Sequence, residues 1–84
     1  MTLDSLPVDV RARIVRVDAA QLVQAEARRL EALGIEAGAE VTVDYRGVFG
    51  GADPLAVRVG RMVVAVRRAH AVALEVEPLE GSLP

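Results

Sequence analysis

Leu30-Glu31-Ala32-Leu33-Gly34-Ile35-Glu36-Ala37-Gly38-Ala39-Glu40-Val41-Thr42-Val43 runs from the last turn of a helix, out through one glycine, around a second, and into a strand. Gly34 suits a left-handed helix cap, where a side chain would clash. Gly38 suits a tight turn, and the alternation from Glu40 onward is that of a half-buried strand. A helix that drops through two glycines into a sheet, within 84 residues, implies one very small α+β or β-barrel domain with room for a single core.

Outward from that stretch, the strand continues without error as Glu40–Arg46. Upstream, Arg11–Val17 is a strand whose alternation slips phase between Ile14 and Val15, which predicts a bulge or strong bend. Between them lies a helix. Asp18-Ala19-Ala20-Gln21 has capping-box spacing and places its start at Asp18, and Val23, Ala27, Leu30 and Leu33 form its apolar stripe. Downstream, Gly47–Pro54 is too glycine-rich to be regular and reads as a long hairpin loop. Gly60-Arg61 is a Gly-X turn of the type II′ kind. It predicts a hairpin in which Val59 faces Met62, Val57 faces Val64 and Leu55 faces Val66. A turn around Arg68–Ala71 then leads to a last strand, Val72–Glu77. The expected fold is mainly β, a strongly bent five-stranded small barrel with one α-helix between strands 1 and 2. The domain spans 1–78, and 79–84 is a frayed tail.

Composition narrows the function by subtraction. Hydrophobic residues make up 52% of the chain, yet its only aromatics are Tyr45 and Phe49. The core is therefore aliphatic, and an aromatic-lined groove for proline-rich peptides or stacked bases is excluded. The chain has no cysteine, so no disulfide framework, thiolate nucleophile or cysteine zinc site is available, which favours the cytosol. No basic leader or long apolar run is visible. Ten arginines and no lysine oppose twelve acids for a net charge of −2, interleaved rather than clustered, which argues against nucleic acid as the partner.

Catalytic chemistry is thin as well. The lone histidine, His70, has no nucleophile near it in sequence and reads as a solvated turn residue rather than a base. Metal ligation by His70 with Glu75 or Glu77 has little support, and Gly47–Gly51 lacks the Gly-Lys-Ser/Thr and following helix of a phosphate loop. No catalytic, cofactor or metal residue is assigned. Two surfaces remain: the glycine-hinged loop with Phe49, and the outward face of the Gly60 hairpin, where Ala56 faces Ala65 and Arg58 faces Val63.

The pattern resembles the FeoA family of bacterial ferrous-iron uptake over nearly the whole chain. The resemblance rests on Leu6-Pro7, Arg11–Val15, Arg29–Ile35, Gly38–Val41, Gly50–Val59, Val64–Arg68 and Ala73–Val76, in that order and spacing. Two departures fall in turns: Ala37 stands where the family usually has proline, and Asp9 where a glycine is common. The loop around Gly51-Ala52 is about a residue longer than usual.

The resemblance implies an SH3-like barrel without enzyme activity or bound cofactor. It further implies a cytoplasmic accessory role, docking on a FeoB-type transporter through its cytosolic GTP-binding domain, without membrane insertion and as a monomer or weak homo-oligomer. The residues expected to meet that partner are Leu30, Leu33 and Gly34 at the helix exit and Phe49, Gly50 and Gly51 in the loop. The alternative is a homo-oligomeric regulatory or metal-sensing module, related to the C-terminal domain of iron-dependent repressors.

Overall fold

The computed structural model describes residues 1–47 and 53–79. Its strands are β1 (Arg11–Val17), β2 (Glu40–Arg46), β3 (Leu55–Val59), β4 (Met62–Val66) and β5 (Leu74–Pro78), and its helices are α1 (Gln24–Ala32) and α2 (Arg68–Ala71). The five strands form one antiparallel sheet in the order β4-β3-β2-β1-β5. Two register shifts bend it. One falls between Ile14 and Arg16, where the slipped alternation predicts it, and the other between Val43 and Tyr45 on β2. The expected mainly-β, five-stranded fold stands.

The β3–β4 hairpin has the predicted register at all three pairs. Gly60 has φ 58, and Arg61 is not left-handed, which is the type II′ pattern. At the helix exit, Gly34 (φ 89) donates its N–H to Glu31 O and Ile35 donates to Leu30 O at 2.8 Å. This is a complete Schellman motif, with Leu30 and Ile35 both buried in the core. Gly38 (φ 94) is the third residue of a type II turn closed by Ala39 N–H donating to Glu36 O. The Gly38 N–H in turn donates to Ile14 O at 2.7 Å, sealing the turn to β1.

The two turn departures now have a physical meaning. Asp9 has φ 66, the left-handed conformation that glycine favours. Ala37 occupies the second position of the type II turn, where proline is pre-set, and its exposed backbone makes no turn hydrogen bond of its own. Ala37→Pro is therefore expected to raise stability by about 0.5–1 kcal/mol by restricting the unfolded chain. A urea midpoint above that of the parent, with an unchanged slope, is the expected reading.

Three elements differ from the sequence expectation. The helix does not begin at Asp18. The Asp18 N–H donates to Ala73 O, so Gln21 cannot reach back to it. The Gln21 amide donates instead to the Asp18 carboxylate at 2.7 Å. A single 3₁₀ turn (Ala19–Gln21) results. Leu22 goes extended to pack on the core, and α1 starts after Val23, which is 70% exposed rather than part of a buried stripe. The Gln21 hydrogen bond, followed by the Ala20 N–H and the Arg16 charge, holds the Asp18 carboxyl below its ordinary range against a smaller opposing effect of burial. The turn around Arg68 is a one-turn helix, α2, whose first N–H donates to Asp53 Oδ1. That helix delays β5 to Leu74 and leaves Val72 outside the strand.

The core is wholly aliphatic and draws on every strand, on α1, and on the N-terminal Leu3, Leu6 and Val10; among the described residues no polar or charged side chain is buried. Arg46 ties the N-terminal turn to the sheet by donating to Asp4 O at 2.8 Å and to Leu6 O. Leu79, expected to fray, donates its N–H to Arg11 O at 2.9 Å, while 80–84 lie outside the described residues.

Candidate functional site

The bulge in β1 creates the first concavity. Ile14 pairs with Val76 and Arg16 with Glu75, so Val15 is the unpaired extra residue. Ile14 is buried, whereas Val15 is turned out of the core and is 44% exposed. Beside it, α1 presents Ala27 and Glu31 one turn apart on one face, and the chain leaving α1 adds Ile35, Glu36 and Ala37. These elements enclose an open groove of about 460 Å³, floored by Val15, Val17, Ala27 and Ile35. Glu31 and Glu36 stand on its rim, and neither takes part in an ion pair among the described residues. Arg16, the one cation here, is already held by Glu75 at 3.0 Å. The groove is thus apolar at the bottom and acidic at the edge.

A second cleft of about 490 Å³ lies between α1 and α2. Glu26 is its hub: Oε2 is 3.0 Å from Arg29 Nη1 and 2.9 Å from His70 Nδ1. The histidine nitrogen is buried and at ion-pair distance, without the alignment of a hydrogen bond. Arg29 also donates from Nη2 to Ala65 O at 3.1 Å, so one side chain links α1 to β4. His70 is therefore not a solvated turn residue, and the carboxylate beside it is Glu26 rather than Glu75 or Glu77. No hydroxyl or thiol among the described residues lines the cleft around it. Among the described residues, no group of three or more histidine, cysteine or carboxylate side chains is gathered to hold a metal ion.

The residues singled out from sequence fall in three places. Leu30 is 1% exposed, a core residue that shapes the helix exit from beneath. Leu33 and Gly34 are half-buried, and a Cβ on Gly34 would sit 3.6 Å from Val59 Cγ1 on β3. Phe49, Gly50 and Gly51 lie outside the described residues. The groove at the same helix exit instead uses Ala27, Glu31 and Ile35, together with Val15. Its only sequence signal is the slipped alternation at Ile14-Val15, which foretold the bend but not that Val15 would be the side chain turned outward.

The arginines are largely accounted for by partners. Besides those named, Arg58 pairs with Asp44 at 2.6 Å, and Arg11 and Arg13 share Glu40. This is the interleaved, solvated surface that the charge pattern implies, and such pairs contribute little to stability. No helix among the described residues is long and apolar enough to cross a membrane.

With the geometry in hand, the chain can be set beside known proteins. The family model described as FeoA domain matches residues 1–78. Among solved structures, the solution structure of FeoA from Chlorobium tepidum superposes with a TM-score of 0.82 at 32% identity, covering 96% of this chain and 72% of that one. The crystal structure of Stenotrophomonas maltophilia FeoA complexed with zinc gives 0.77 at 38% identity, covering 92% and 89%. That protein is described as a prokaryotic SH3 domain protein and a candidate activating factor of ferrous iron transport. Iron(II) transport protein A from Clostridium thermocellum gives 0.81 at 27% identity, but this chain spans only 47% of it. No curated protein matches the chain.

Proposed function

This chain belongs to the FeoA domain family, and from that premise we propose that it is a non-enzymatic, cytoplasmic accessory protein that docks on a FeoB-type ferrous-iron transporter and modulates it. The family is associated with ferrous iron transport, and the fold is SH3-like. The observation that carries the docking reading is the groove at the helix exit, with its apolar floor and two unpaired carboxylates on the rim. A concavity of that character fits an apolar segment bearing a cation.

In this reading Leu30, Leu33 and Gly34 shape the helix exit beside the groove, while Val15, Ala27, Glu31 and Ile35 line it. The segment with Phe49, Gly50 and Gly51 supplies a second contact. The partner is the transporter's cytosolic GTP-binding domain. Isothermal titration of the full chain against that isolated domain, with and without guanine nucleotide, is expected to give saturable 1:1 binding in at least one nucleotide state. Absence of heat and of complex in both states refutes direct docking there.

A further inference from the structure

We infer a second interaction surface: the edge of β4, which among the described residues pairs with no further strand and is built to add an extended, apolar strand carrying a carboxylate near each end. The sheet ends at β4. In a two-residue hairpin closed by Val59 and Met62, the backbone groups of Val63 and Ala65 point away from β3. Ala65 O confirms the direction, since it accepts from Arg29 across the sheet's outer edge. Met62–Val66 carries no charge, and Met62 and Val63 are both 46% exposed. Natural edges are usually blunted by charge, proline or a covering segment, and a bare apolar edge is a template for strand addition. The opposite edge is treated differently: β5 is covered by the N-terminus, where Thr2 bridges Glu75 and Val76 N–H donates to Met1 O at 2.7 Å.

Charge decides the occupant. Arg61 and Arg67 bracket the strand, both exposed and neither in an ion pair among the described residues. Arg61 lies in the turn just before β4 and Arg67 just after it, so an extended segment with an acid near each end brings a carboxylate close to both arginines. An antiparallel second copy centred on Val64 would bring Arg61 opposite Arg67 of the other molecule, which disfavours that register. Arg29, now on Ala65 O, would yield to the incoming strand's own donor.

The probe is a capped seven-residue peptide alternating glutamate, threonine and valine, with glutamates at both ends, titrated into the ¹⁵N-labelled full chain. The amides of Val63 and Ala65 are expected to shift most, and the lysine-ended version is expected to bind about tenfold more weakly. Val63→Pro removes an outward N–H without touching the β3 ladder and should abolish the shifts. If that variant misfolds, Arg61→Glu with Arg67→Glu serves instead and should reverse the peptide preference. No shift with either peptide, equal affinity for both, or shifts elsewhere overturns the proposal. So does concentration-dependent movement of the Val63 and Ala65 amides without peptide, which would mean self-pairing.

Discussion

Leu30→Ala is expected to lose about 3 kcal/mol of folding stability, within the 2–5 kcal/mol range for truncating a fully buried leucine. A domain of this size has only ~4–13 kcal/mol in total, and the midpoint of thermal unfolding should fall by roughly 10–20 °C. The side chain is 1% exposed and contacts the same cluster as Ile35, so truncation leaves a cavity under the Schellman turn rather than a gap in a binding face. Alanine is a better helix former than leucine, and the Leu30 carbonyl can still accept from Ile35, so the loss comes from packing alone. Leu33→Ala, at a half-buried site, should cost about 1 kcal/mol by comparison. Paired urea titrations check both, with binding to the transporter domain measured per folded molecule. Leu30→Ala should leave that affinity unchanged; an intact midpoint with lost affinity would place Leu30 at the partner surface after all.

What could be read from the residues divides along the range of the interactions involved. The β3–β4 register followed from two local rules, the Gly60-Arg61 turn and alternation, and both act within a dozen residues. Gly34 and Gly38 were legible because a left-handed backbone excludes most side chains whatever surrounds it. The helix start failed because a distant group intervened: Ala73 O takes the Asp18 N–H, and the core takes Leu22. The candidate site was legible only as a neighbourhood. Glu26 and His70 lie far apart in sequence and meet only because α1 and α2 pack on the same end of the sheet. Val15 gave a sign that the strand bends. Which face its side chain would take depends on β5 pairing around it, and no single-strand pattern contains that information.

Val15→Arg should separate docking from folding more sharply than any change at the helix exit itself. The side chain is already 44% exposed and belongs to no ladder pair, so the longer stem can lie along the groove with its head in water, and stability should stay within about 0.5 kcal/mol. Affinity is expected to fall at least tenfold, or about 1.4 kcal/mol. Two effects add. The arginine occupies the apolar floor that a partner's side chain would fill. It also places a cation between Glu31 and Glu36, neutralising the rim and repelling the basic group that the rim is proposed to attract. Val15→Ala removes only the apolar contact and should weaken binding less. The gap between the two variants should narrow as salt is raised, because screening acts on the charge and not on the lost packing. If both variants bind as the parent does, the groove is not the docking surface, and if they weaken equally at every salt concentration, the partner segment carries no cation.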